Sequence, residues 1–141
     1  MLVEDLMSTE VVTVSGDGSL RDAVARMLEA SVGSAVVVNA DGDPTGILTE
    51  TDLLRAGYET DLPLSEIPVS KLSHRPVVTT KPTATVTYVA HRMAKNDVKK
   101  VPVMDGLDLV GMITLTDIVW HLADIRKEAS DLARRDWDPH R

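Results

Sequence analysis

Cysteine and phenylalanine are both absent from the 141 residues, and Trp and Tyr occur only twice each. Without Cys there is no disulfide framework, no thiolate nucleophile and no zinc ribbon. His74, His91, His121 and His140 show no metal-ligand spacing, so no metal is expected. Long apolar runs are missing too: none approaches the roughly 20 residues of a membrane helix. The N-terminus, Met1-Leu2-Val3-Glu4-Asp5, lacks the basic flank and apolar stretch of a secretion signal, and a cytoplasmic location is expected. Positive charge is scarce, with 15 Lys+Arg against 22 Asp+Glu and a net charge of −7. Nucleic-acid affinity comes mainly from cations meeting phosphates, so general nucleic-acid binding is excluded, although a local basic pocket for one small anion is not. No Gly-x-Ser-x-Gly, phosphate-loop or dinucleotide fingerprint occurs, and no carboxylates pair as acid and base. The chain is therefore not expected to be an enzyme, and it has no catalytic residues to name.

What is present is an ordinary globular composition, 43% hydrophobic and 26% charged. The length fits one compact domain or two small lobes sharing a core. Laid on itself at an offset of 66, the chain repeats Val3, Leu6, Val11, Val12, Thr13, Arg26, Met27, Val32 and Val37 as Val69, Leu72, Val77, Val78, Thr79, Arg92, Met93, Val98 and Val103. After a one-residue deletion the offset becomes 65, and Gly46, Thr49, Thr51 and Asp52 recur as Gly111, Thr114, Thr116 and Asp117. One order and one register across both stretches mark a tandem duplication.

Each copy reads as strand, helix, strand, strand, helix. Val11 to Val14 and Val77 to Thr79 are β-branched stretches suited to a first strand. Ser19 and Thr85 are placed to cap a helix, followed by Leu20, Ala23, Val24, Met27 and Leu28, or Val86, Val89, Ala90, Met93 and Ala94, on one face. Buried strands follow at Ser34 to Val38 and Val101 to Met104, then a turn and a third strand, Gly46 to Thr49 or Gly111 to Thr114. A second helix begins near Asp52 or Asp117. Tyr58 to Pro68, with two prolines and no helical pattern, reads as the connection. From Asp117 to about Arg135 the apolar spacing predicts one long helix, and Asp136 to Arg141 a frayed tail. The expected divisions are 1–60, a linker at 61–68, 69–124, and a C-terminal extension at 125–141.

Gly46-Ile47-Leu48-Thr49-Glu50-Thr51-Asp52 and Gly111-Met112-Ile113-Thr114-Leu115-Thr116-Asp117 resemble the closing signature of the CBS domain. Val98-Lys99-Lys100-Val101-Pro102-Val103-Met104-Asp105 is similar to that family's central strand, in which a basic residue often stands two before the Pro-Val pair. The resemblance implies an α+β fold of two tandem CBS domains packed sheet to sheet with pseudo-two-fold symmetry. It implies two clefts binding adenosyl ligands, AMP, ADP, ATP or S-adenosylmethionine, with no further cofactor required. It also implies that binding is passed to a regulated partner protein, not identifiable from the sequence, and that such modules pair as homodimers.

Thr49 and Asp52, like Thr114 and Asp117, stand three apart just before an apolar helix. That spacing suits a capping box, and an ionised Asp there equally suits the two hydroxyls of a ribose. The two roles are compatible. Thr51 and Thr116 join them as ligand-binding candidates. By resemblance, Lys100, with Lys99 beside it, takes the phosphate-contacting position, whereas the matching Gly33 and Ser34 offer no charge. Pro76 and Val78, and Glu10 and Val12 in the first copy, fall where the family places its adenine pocket; plain core packing is the alternative. The copy-two cleft is expected to be the better phosphate site, provided that the lysines point into their own copy's cleft. Leu53-Leu54 and Ile118 to Ile125, with Trp120 as anchor, are the expected dimer surface. The competing functional reading is a structural or dimerisation module with no nucleotide ligand.

Overall fold

A computed structural model of the chain describes residues 1–72 and 77–136. Its elements are α1 (Val3–Leu6), β1 (Thr13–Ser15), α2 (Leu20–Ala30), β2 (Ser34–Val38), β3 (Pro44–Thr49), α3 (Glu50–Thr60), α4 (Val86–Asn96), β4 (Lys100–Asp105), β5 (Asp108–Thr114), α5 (Leu115–Trp120) and α6 (Leu122–Asp136). Single 3-10 turns at Leu64–Glu66 and Val69–Leu72 join α3 to the second copy. The fold is mixed α+β, as read from the sequence. No helix among the described residues is long and apolar enough to cross a membrane.

The duplication is visible bond by bond. Ser19 and Thr85 cap α2 and α4 by accepting the backbone N–H groups of Asp22 and Tyr88. Both helices end on a left-handed residue, Ser31 and Asp97, with φ of 55° and 52°. Arg26 and Arg92 each donate a guanidinium N–H to the carbonyl thirteen residues earlier, Thr13 or Thr79, pinning helix to strand.

The first sheet has the order β1-β2-β3, with β1 parallel to β2 and β2 antiparallel to β3. The second has only β4 and β5. The strand expected at Val77–Thr79 does not form; Thr80 alone bridges Val103. The cause is Pro102. In the first copy Val36 donates its N–H to the Val12 carbonyl at 2.8 Å. The equivalent Pro102 has no N–H to give Val78, so the ladder stops after one residue.

Alternation along the strands sorts two cores. Ala35, Val37 and Leu48 face α2 with Leu20, Ala23 and Met27. Val101, Val103 and Ile113 face α4 with Val86, Val89 and Met93. Val36, Pro102 and Met112 point the other way and are buried as well. With both faces of each sheet excluded from water, the second faces cover one another, which is the sheet-to-sheet packing of the fold.

The opening segments are exchanged between copies. Val3 and Leu6 of α1 lie in the core of the second copy, and Ile67 and Val69, from the connection, lie in that of the first. Val86 N donates to Met1 O, and Leu20 N to Ile67 O, at 3.0 and 2.9 Å. The residues expected to be a featureless linker are thus in part structured: α3 runs on through Tyr58 to Thr60, and Ile67 is buried. Periodicity missed them because a single turn leaves no repeat to read.

The long C-terminal helix is broken. α5 stops at Trp120 and α6 starts at Leu122, with His121 between them at φ −101° and ψ 12°. Its Nδ1 lies 2.9 Å from the Asp117 carbonyl, which its own backbone N–H also uses. Such insertion of a side chain into the ladder bends a helix. α6 then returns to the N-terminus, where the Met1 ammonium meets Glu128 at 2.5 Å and Ile125 packs on the second core. Residues 137–141 of the expected tail lie outside the described residues.

Candidate functional site

A cleft of about 790 Å³ opens between the copies. One wall is the end of β3 and the start of α3. Thr49 is the N-cap of α3: its Oγ1 accepts the Asp52 N–H at 3.3 Å. In return Asp52 Oδ2 accepts the Thr49 N–H and hydroxyl, each at 2.9 Å. The capping box is therefore real, as it is for Thr114 and Asp117 on α5. It occupies one carboxylate oxygen. Oδ1 of Asp52 accepts no hydrogen bond from a described residue, and Asp52 lines the cleft.

Along α3, Asp52, Arg55, Ala56 and Glu59 all line the cleft. Their spacing of three, one and three places them on one helical face. Leu54 and Tyr58, four apart on the other side, are 76% and 89% exposed. One helix thus offers a charged face to the cleft and an apolar face to the outside.

The opposite wall comes from the second copy. Lys99 and Lys100 open into the cleft beside Thr49, Thr51 and Asp52, together with Val78 and Asp97. This corrects the expectation that the lysines serve their own copy's cleft. The exchange of segments explains it, because the two copies face one another and a strand start in one copy meets the helix start of the other. Lys71, from the connecting turn, completes the rim. Neither Arg55 nor Lys71 was found by sequence reasoning, since each looked like an ordinary surface charge. Its position one helical turn after Asp52 was the signal available for Arg55.

Gly33 also lines the cleft; a side chain there would collide with Glu50, whose carboxylate lies over it. Ser34 does not, being paired with Thr49 in the β2–β3 ladder. Val12 packs on the first core rather than in the cleft. Thr114, Thr116 and Asp117 begin α5 on the second copy and do not line this cleft. Pro76 and His74 lie outside the described residues. No cluster of His, Asp and Glu able to hold a metal ion occurs among the described residues.

The helices expected to form the dimer surface divide between buried and exposed apolar residues. Ile118 belongs to the second core and Leu53 packs on the first. Of the residues expected there, Leu54, Val119, Trp120 and Leu122 are exposed, the Trp at 80%, and Tyr58 and Leu115 on the same helices join them.

Comparison with known proteins fits this geometry. The uncharacterized protein MJ1404 of Methanocaldococcus jannaschii is 30% identical over 139 residues; the alignment covers 90% of this chain and 33% of that protein, so the chain spans a third of its length. The CBS domain pair of protein MJ0100, solved with 5′-methylthioadenosine and S-adenosyl-L-methionine, superposes with a TM-score of 0.76 at 25% identity, covering 86% of this chain and 99% of that one. A hexameric CBS-CP12 protein from bloom-forming cyanobacteria gives 0.77 at 27%, covering 96% and 85%. The model of the CBS domain matches twice, at residues 3–59 and 69–124, taking in both TxxD helix starts and both Arg–carbonyl pins. The chain belongs to the CBS domain family, as a tandem pair.

Proposed function

We propose that the chain is a regulatory module that binds an adenosyl ligand between its two copies and passes the binding event to a protein partner. The observation that carries this reading is the convergence of Thr49, Thr51 and Asp52 from one copy with Val78, Lys99 and Lys100 from the other on one 790 Å³ cleft. That volume suits a nucleotide-sized ligand. The free Oδ1 of Asp52 takes a ribose hydroxyl while Oδ2 holds the cap, and Val78 offers the base an apolar wall. Thr114, Thr116 and Asp117 play the ribose role for a second ligand on the other copy. The solved MJ0100 pair, with two adenosyl compounds bound, supports the ligand class.

A ligand that binds only the folded state raises the melting temperature. Thermal-shift measurements with AMP, ADP, ATP, S-adenosylmethionine and 5′-methylthioadenosine are expected to give at least one clear rise. No rise with any of them at millimolar concentration favours the alternative, a dimerisation module without a nucleotide.

The module assembles as a homodimer through Leu54 and Tyr58 of α3 and Val119 and Trp120 of α5, four large exposed residues on the two helices that close the copies. The hexameric relative supports assembly as a property of such folds. Trp120→Asp is expected to turn dimer into monomer in light scattering. A wild-type monomer at micromolar concentration ends this part of the reading.

A further inference from the structure

The last helix has no counterpart in the first copy. There α3 ends at Thr60 on the left-handed Asp61, and the chain turns into the connection. In the second copy α5 is followed by the fifteen residues of α6. The first copy closes its core without such a helix, so α6 is an addition to the duplicated unit.

α6 is fastened to its own molecule at one end only. Ile125 is half-buried on the second core, and Glu128 meets the Met1 ammonium. Every residue from Arg126 to Ala133 is exposed. That stretch includes Ala129 and Leu132, the latter 53% open to solvent. Together with Leu122 and Ile125 they recur at 122, 125, 129 and 132, one apolar stripe along the helix. The stripe finds cover at Ile125, and its second half lies open. A helix of this length is marginal in water, because most helical stability in proteins comes from packing an apolar face. That α6 runs to Asp136 with this face bare points to a cover that one chain does not supply.

Two further features say what the cover is. The stripe continues the exposed apolar surface of α5: Val119 and Trp120 stand just before the bend at His121, and Leu122, 41% exposed, just after it. That surface is the one assigned above to contact with a second copy, and a two-fold contact puts the same patch on both partners. The charge register also suits the stripe's own reverse. In heptad terms Leu122 and Ala129 are a, Ile125 and Leu132 are d, and Glu128 and Arg135 both fall at g. In an antiparallel pair g positions face g positions, so the Arg135 position of one helix lies along Glu128 of the other. A parallel pair sets Glu128 against Ala133 and leaves it no cation. Glu128 bonds Met1 through Oε1, and its Oε2 accepts no hydrogen bond from a described residue.

We propose that α6 pairs antiparallel with the α6 of a second copy, Ala129 and Leu132 of one helix packing on Leu132 and Ala129 of the other. The proposal deepens the homodimer reading and rests on it for the second copy. The contact spans about two helical turns, too little to hold a dimer alone, and it adds to the face on α3 and α5.

Sedimentation equilibrium of the full chain tests it, on wild type, on the double variant Ala129→Asp, Leu132→Asp, and on Trp120→Asp. Ala129 and Leu132 are exposed, so the double variant is expected to fold, and its melting temperature in dilute solution checks this. Its dimer dissociation constant is expected to rise about tenfold or more, the scale of placing like charges at the centre of a contact. Because the chain has no Cys, a single introduced thiol reports the direction of pairing. Leu132→Cys is expected to give a disulfide-linked dimer in glutathione buffer, and Leu122→Cys is not. In an antiparallel pair centred between Ser130 and Asp131, the two Leu122 positions stand about 25 Å apart, beyond any disulfide. Linkage at both positions means a parallel pair and overturns the proposal. An unchanged dissociation constant in the double variant also overturns it, and leaves the contact through α3 and α5 standing. A dimer dissolved by the double variant but not by Trp120→Asp supports the α6 pair and removes the α3–α5 face. A wild-type monomer ends both.

Discussion

Thr80 is the buried residue that fits its place least well. It is 5% exposed, and its hydroxyl has no partner among the described residues. Its backbone is fully used, donating to Pro102 O at 3.1 Å and accepting from Met104 N at 2.8 Å. The first copy has Val14 at the same position, buried to 4%. An unsatisfied buried hydroxyl costs about 1–3 kcal/mol, and a methyl of the same shape removes that cost. Thr80→Val is therefore expected to raise stability by about 1 kcal/mol in urea denaturation. A loss of stability would show that the hydroxyl has a role that packing does not reveal.

At the scale of elements, helix starts decide more than helix interiors. Asp22 accepts the Ser19 N–H at 3.0 Å and the Ser19 hydroxyl at 3.1 Å, and these bonds, with Arg21 adjacent, hold its carboxyl below the ordinary range. A carboxylate lowered in the folded state stabilises above its unfolded value, and that contribution disappears as pH falls through the folded one. Asp22→Asn is expected to flatten the acid limb of the stability profile, losing the carboxylate's contribution at neutrality and changing little well below about pH 4. Asp52→Ala removes a cap and a proposed ribose contact together. Apo stability is expected to drop by about 1 kcal/mol and nucleotide affinity by about tenfold or more. Asp52→Asn, which can still accept at the cap, should spare the first and not the second; equal losses in both measurements would reduce Asp52 to a capping residue.

Helix starts were also the most legible part of the sequence. Ser19, Thr49, Thr85 and Thr114 all cap as their spacing predicts, because an N-cap is a local bond between residues three apart. What stayed hidden needed a partner distant in sequence. The missing strand at Val77–Thr79 depends on Pro102, and the break at His121 depends on a ring nitrogen reaching Asp117 O. That Lys99 and Lys100 line one cleft with the opposite copy's Asp52 depends on how the copies face one another. A chain read in one dimension contains each residue but not that juxtaposition.

For the whole molecule the exchanged segments set cooperativity. Val3 is fully buried in the second core and Val69 in the first, so neither copy completes itself. One unfolding transition is expected, with calorimetric and van't Hoff enthalpies equal. Val3→Ala should lower its midpoint by about 2 kcal/mol of stability without splitting it. Two resolved transitions would mean that the copies fold as separate units.

The same exchange orders events during synthesis. Leu2 pairs with Thr85 and Ser8 with Met112, so these residues, made early, wait for partners roughly a hundred codons later. Until β5 emerges, Val3 and Leu6 lack the core that buries them and are open to a chaperone or to the same place on a neighbouring nascent chain. Slower translation between Pro82 and Met112 is therefore expected to raise the fraction of chains that exchange this segment, read as a larger dimer fraction in gel filtration.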